Sequence, residues 1–219
     1  EDVVKGGINK RQKAMNGIKN LIIDLGGVII GLTRNRCIDA FEQLGVKNVR
    51  ENITNNFQHK DLFMQLELGY ISVADFHDGI RQLAGKDLTD RQIDDAWIMM
   101  LGEVPKEKLE LLLELRNCYN TILLSNTNEI HWKWIANNCF NYKNLKVDDF
   151  FHKIYLSYEL HMLKPNTDIF EHVLNDAHIR SEETLLIDDS LPNCRTAEAM
   201  RMRAYNVQPK EDWGNLFLP

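Results

Sequence analysis

The strongest constraint on the fold is an alternation of strands and helices in the second half of the chain. "PKEKLELLLELRN" reads as an amphipathic helix with Pro105 near its first turn, and "TILLS" as a buried strand. "NEIHWKWIANN" follows as a helix, "KIYLS" as a strand, and "PNTDIFEHVLNDAH" as a helix opened by Pro165. "TLLID" is a strand, "NCRTAEAMRM" a helix and "RAYNV" a last strand. Strands separated by helices cannot pair through tight hairpins. They form a parallel sheet covered on both faces. One earlier apolar strand, Leu21 to Asp24, belongs to the same sheet. Between Thr33 and Met100 only helical spacing is found. Cys37, Ile38, Phe41 and Leu44 fall on one face before Gly45, and Ser72 and Thr89 or Asp90 stand as N-caps of later helices. The expected organisation is an arm of residues 1–18, an α/β core of 19–32 and 101–219, and an inserted helical block of 33–100.

Bulk properties narrow the function classes. The chain of 219 residues is 44% hydrophobic and 26% charged, which is ordinary globular composition. A formal charge of −6 argues against nucleic acid as a standing partner. No apolar run is long enough to span a bilayer, so no membrane partner is expected. The polar, lysine-rich start is expected to be an arm before the fold rather than a signal peptide. Cys37, Cys118, Cys139 and Cys194 form no CxxC pair and read as reduced thiols, mostly buried as small apolar residues. A cytoplasmic protein, monomeric or weakly homodimeric, is the expectation.

The carboxyl ends of parallel strands line the binding crevice of such sheets. Asp24 ends the first strand and runs into Gly26 and Gly27; Ser125 ends the second. Lys164 follows the third strand at the start of a helix, and Asp188 and Asp189 end the fourth. Each has an ordinary structural explanation alone: a cap, a solvated lysine, a turn-opening acid pair. Together they crowd three carboxylates, one hydroxyl and one lysine onto one edge. Such a cluster stays ionised only with further positive charge, and Mg²⁺, which takes oxygen ligands and pairs with phosphate, suits it.

The segments "IIDLGGV", "LLSNT", "LKP" and "LLIDD", in that order, resemble the haloacid dehalogenase (HAD) superfamily of hydrolases, over about Ile18 to Val207. Receiver domains of response regulators carry a similar set, but with the acid pair at the first strand. Within the superfamily, "LLSNTNEIH" and "DDSLPNCRTAE" look most like bacterial sugar-phosphatase members, including an α-glucose-1-phosphate phosphatase group with a small helical cap. The resemblance implies a three-layer, Rossmann-like core of strand order 5-4-1-2-3 with an inserted helical cap. It implies a Mg²⁺-dependent phosphatase acting on a small phosphorylated metabolite, plausibly a sugar phosphate. Asp24 would be the nucleophile that forms an aspartyl-phosphate. Asp24, the Gly26 carbonyl and Asp188 would ligate Mg²⁺. Asp189 would act from behind them, holding a metal-bound water or pairing with Lys164. Ser125, the Asn126 N–H and Lys164 would bind the phosphoryl group. The helical block would close over the site, with Glu67, Tyr70, His77 and Trp97 as candidate substrate contacts; packing or surface roles are the competing readings for the last three.

Two departures bear on activity. Many phosphatases of this superfamily carry a second aspartate two residues after the nucleophile, and here that position is Gly26. A general acid–base residue contributes about 10²–10⁴-fold, so its absence matters. An anomeric leaving group would need that proton less. Gly31 and Thr33 also stand where relatives often have aspartates, at the hinge into the block. A binding or regulatory protein that kept the site but lost turnover is therefore the alternative. A dehalogenase, which uses no metal, is disfavoured by the Asp188-Asp189 pair, and a phosphomutase by Gly26.

Overall fold

The computed structural model describes residues 15–54 and 61–217. The expected arm therefore lies outside the described residues up to position 14, as does His59, which reads from the sequence as a surface residue.

Five strands form one parallel sheet: β1 (Asn20–Ile23), β2 (Asn120–Ser125), β3 (Lys153–Leu156), β4 (Thr184–Asp188) and β5 (Arg203–Asn206), in the order β3-β2-β1-β4-β5. This is the expected order read from the opposite edge. Side chains alternate between two cores, as the two-residue period of a strand requires. Leu21, Ile23, Leu123 and Ile187 pack on one face, and Ile22, Ile122, Leu124 and Leu186 on the other.

The second face is covered by α9 (Thr167–Asp176) and α10 (Leu191–Ala199), through Ile169, Phe170, Val173 and Ala197. The first is covered by α6 (Lys106–Cys118) and α7 (Glu129–Asn138). A short helix, α8 (Ser157–Leu160), leaves the end of β3 and escapes the helical periodicity of the sequence because it is a single turn.

Among the described residues, five helices lie between β1 and α6: α1 (Arg34–Gln43), α2 (Val49–Thr54), α3 (Leu62–Glu67), α4 (Val73–Ala84) and α5 (Asp90–Ile98). Phe63 stands at the centre of an aromatic cluster with Phe41, Phe76 and Trp97, at ring distances of 5.8, 5.5 and 4.9 Å. Capping boxes start α4 and α5: the Ser72 and Thr89 hydroxyls accept from the Asp75 and Gln92 N–H groups, and those side chains reach back. The chain enters and leaves this block side by side, with Thr33 N–H donating to Met100 O (2.8 Å) and Gly102 N–H to Gly31 O (2.9 Å).

Two readings need correction. His77 is not a surface residue but is buried between Asp90 (3.2 Å) and Asp94 (2.8 Å), joining α4 to α5. Cys118 is exposed, Cys139 half-buried, and only Cys37 and Cys194 are buried; all four are free thiols. In "HWKW", Trp132 and Trp134 pack partly against the core, and His131 is buried with its ring stacked on Trp97 at 4.4 Å. Burial pushes His131 down to about 4, so the ring is neutral. Among the described residues, no helix is long and apolar enough to cross a membrane.

Candidate active site

Asp24 sits one residue past β1, and its N–H still donates to Ile187 O (2.9 Å), so the β1–β4 ladder fixes its backbone. The side chain is buried at the sheet's carboxyl edge. Lys164 Nζ lies 2.8 Å from Asp24 Oδ1 and 2.7 Å from Asp188 Oδ2, and donates to Leu124 O at 3.0 Å. All three ammonium hydrogens are thereby used. Asp188 is wholly buried. Its Oδ1 accepts from the Ser190 N–H (2.8 Å), and Asn193 Nδ2 donates to both its oxygens at 2.9 and 3.0 Å.

Asn126 clamps the Lys164 backbone. Its amide donates to Lys164 O (2.9 Å) and its carbonyl accepts from Lys164 N–H (3.0 Å), on the segment that holds a cis Lys164–Pro165 bond. Ser125, buried at the tip of β2, has a hydroxyl whose one protein contact is a long 3.5 Å approach to Asn126 O. It is free to meet a ligand. Asp189 is exposed, and its Oδ2 would stand 2.1 Å from a Cβ placed on Gly27. Gly27 has φ +78, so this turn needs glycine both for its backbone and for the approach of Asp189. Lys164 thus pairs with Asp24 and Asp188, not with Asp189 as one reading of the sequence had it.

Asp24, Asp188 and Asp189 each offer an oxygen within 4.8 Å of the others. Burial above all, against the pull of Lys164 and with the push of Asp188 and Asp189, raises Asp24 to about 7. Partial loss of water around the Asp189 carboxyl, and then Asp188, raise Asp189 as well, although the residue as a whole is exposed. Burial draws Lys164 down, but Asp24 and Asp188 outweigh it and carry the ammonium above the ordinary lysine range. One ammonium among three acids leaves the cluster short of positive charge. Its donors are oxygens only, which fits a hard divalent cation such as Mg²⁺.

Asp24, Lys164 and Asp189 floor a cleft of about 450 Å³, with Asp188 buried behind them. Asp24, Gly26, Ser125, Asn126, Lys164 and Asp189 line it from the sheet side, and Glu67, Arg34, Met64 and Trp97 from the helical block. Burial pushes the Glu67 carboxyl up to about 7, with Arg34 opposing and Asp61 adding. Tyr70, expected as a substrate contact, does not line the cleft; it is 63% exposed and its ring stacks on His161 at 5.9 Å. A larger groove of about 1200 Å³ is lined by residues 27–35 and shares Ile30, Leu32, Arg34 and Asp189 with the cleft, but Asp24 and Lys164 face the smaller space.

Sequence reasoning missed Asn193, Arg34 and Ser157. Asn193 had a signal, standing five residues past Asp188 on the first turn of a helix. Ser157 did too, as the last residue of "KIYLS", the counterpart of Ser125 in "TILLS". Arg34 had none, because a lone arginine at a helix start is most often solvated.

A haloacid dehalogenase-like hydrolase family model matches residues 18–201. The chain belongs to that family. A D-ribitol-5-phosphate phosphatase of Bacteroides thetaiotaomicron is 32% identical over 196 residues, covering 90% of this chain and 95% of that protein. A HAD family enzyme of the same organism, crystallised in complex with magnesium and inorganic phosphate, is 49% identical with a TM-score of 0.88, over 92% of this chain and 100% of that one. A HAD-like hydrolase of Porphyromonas gingivalis is 36% identical with a TM-score of 0.83, over 90% and 94% of the two chains. An L-2-haloacid dehalogenase of Xanthobacter autotrophicus, at 15% identity and a TM-score of 0.57, shares the fold.

Proposed function

We propose that the protein is a Mg²⁺-dependent phosphatase of a small phosphorylated sugar or sugar alcohol, acting through an aspartyl-phosphate on Asp24. The observation that carries this reading is the buried Asp24–Lys164–Asp188 arrangement, with Asp189 beside it, at the floor of a cleft of about 450 Å³. It is supported by the relative named D-ribitol-5-phosphate phosphatase and by the HAD family enzyme solved with magnesium and phosphate.

In this reading Asp24, Asp188 and the Gly26 carbonyl hold Mg²⁺, with Asp189 behind them. The cation, when bound, supplies the positive charge that the acid cluster and a phosphoryl group both need. Asp24 attacks phosphorus in line as the ester P–O bond breaks, and the leaving alcohol oxygen takes its proton from water, since Gly26 carries none; only ionised Asp24 reacts, and held near 7 it needs added positive charge to stay ionised at neutral pH. Ser125 and the Asn126 N–H hold the phosphoryl oxygens, Lys164 offsets the charge of the phosphate from beside Asp24, and the clamp of Asn126 on Lys164 keeps that trio in register. Water then releases phosphate from Asp24.

The helices of residues 33–100 serve as a cap over this floor, joined to a core of 19–32 and 101–219. Glu67 reads substrate hydroxyls from the cap side. The 5-phosphate of ribitol is an ester of a primary alcohol, so the anomeric leaving group invoked to excuse Gly26 is not what this relative's name favours.

Gly26 itself favours a second reading, a phosphate-ligand-binding protein without turnover. Phosphate release from pentitol, pentose and hexose phosphates, with Mg²⁺ and with EDTA, separates the two. The phosphatase reading expects metal-dependent release from at least one of them. No release from any of them, with Mg²⁺-dependent binding retained, overturns it.

A further inference from the structure

Ser157 follows β3 directly, and β3 is paired with β2 so that Leu156 stands opposite Ser125. The register therefore sets Ser157 beside the Ser125–Asn126–Thr127 turn. Ser157 is completely buried, and its Oγ accepts from the Thr127 N–H at 2.9 Å. The same oxygen lies 2.7 Å from Glu67 O and 2.9 Å from Thr127 O. A hydroxyl has one hydrogen to give, and the shorter contact assigns it to the Glu67 carbonyl. One atom thus ties the turn that carries Ser125 to the backbone of Glu67, whose side chain lines the cleft.

The neighbouring contacts reinforce this tie. His161, one residue past α8, meets Leu68 O through Nδ1 at 2.7 Å. A Cβ on Gly69 would lie 2.0 Å from Tyr158 O, so the two backbones touch where only glycine fits. The Tyr70 ring lies on His161. The segment from Glu67 to Tyr70 is therefore docked on α8, a contact additional to the isolated bridge between Leu32 and Leu101.

We propose that Ser157 is a positioning residue that fixes the distance between the phosphate-binding turn and Glu67, and so sets the length of phosphorylated polyol the cleft accepts. The proposal rests on the phosphatase reading above. A phosphate anchored at Ser125 and the Asn126 N–H leaves its carbon chain pointing up the cleft. A carboxyl held at a fixed height then meets a hydroxyl only for chains of the right length. A buried polar group left without its partner is costly, so chains that fall short are rejected.

The test is kcat and KM with Mg²⁺ on glycerol 3-phosphate, a pentitol 5-phosphate and a hexitol 6-phosphate. Wild-type protein is compared with Ser157→Ala, with His161→Ala (an exposed side chain that can be lost without emptying the core) and with Glu67→Gln. Wild-type protein is expected to prefer one chain length at least tenfold in kcat/KM. Ser157→Ala and His161→Ala are each expected to reduce that preference below threefold, mainly by raising KM for the preferred substrate. Adding Ser157→Ala to Glu67→Gln is expected to change the preference less than twofold, because both act on one contact. A parallel loss on all three substrates, or a preference that survives both Ser157→Ala and His161→Ala, overturns the proposal and leaves the phosphatase reading intact. No turnover by the wild-type protein overturns the phosphatase reading and this proposal with it.

Discussion

Lys164 Nζ and Asp24 Oδ1 stand 2.8 Å apart, in a contact almost sealed from solvent. The lysine comes from the loop after β3 and α8, the acid from the end of β1, and neither charge is tolerable there alone.

Lys164→Met should therefore destabilise the fold strongly. It removes the ammonium that pairs with Asp24 and Asp188 and leaves those two buried carboxylates without it. The expected loss is about 3–5 kcal/mol in urea unfolding without metal. Added Mg²⁺ should recover part of it.

Asn193 donates to both oxygens of Asp188 and so orients that carboxylate. Asn193→Leu keeps the volume and removes both bonds. Mg²⁺ affinity, read by calorimetry, should fall about 10–100-fold, as it does when groups behind a metal ligand are lost. Unaltered affinity would show that Asn193 serves packing only.

Gly27→Ala combines a positive φ with a collision against Asp189 Oδ2. Backbone strain alone costs about 1–2 kcal/mol, and Asp189 must move as well. Thermal unfolding should shift down and Mg²⁺-dependent phosphate release should drop. Gly31→Ala, with open space around it, should do neither.

Glu67 supplies a prediction about pH. Its folded value is raised from 4.5 to about 7, so between these limits the folded protein keeps a proton that the unfolded chain has lost. Its contribution to stability falls as pH rises through that window and is flat above and below it. The unfolding free energy of wild type relative to Glu67→Gln should decline from about pH 4.5 to about pH 7. A difference independent of pH would contradict the raised value.

Much of this molecule was legible in its sequence. The apolar runs around Leu21, Ile122, Ile154 and Leu186 could only be strands, and the helices between them forced parallel pairing. Strand ends then gathered Asp24, Ser125, Lys164 and Asp188, because a parallel sheet puts every carboxyl end on one side. What was hidden depended on tertiary contact. Whether Glu67 or Tyr70 faces the cleft turns on how α3 docks against α8, and helical spacing is silent about that. The paired use of His77 by Asp90 and Asp94 requires α4 and α5 to be side by side. Ser157 read as the end of a strand, and its contact with Glu67 spans ninety positions of chain.

The most direct measurement is phosphate release by Asp24→Asn beside wild type, with Mg²⁺, on whichever sugar or polyol phosphate the wild type cleaves. Loss of a covalent nucleophile predicts a fall in kcat of at least about 10³-fold, with the fold intact, because the asparagine also relieves the crowding of three acids. Turnover by Asp24→Asn within tenfold of wild type would contradict the account.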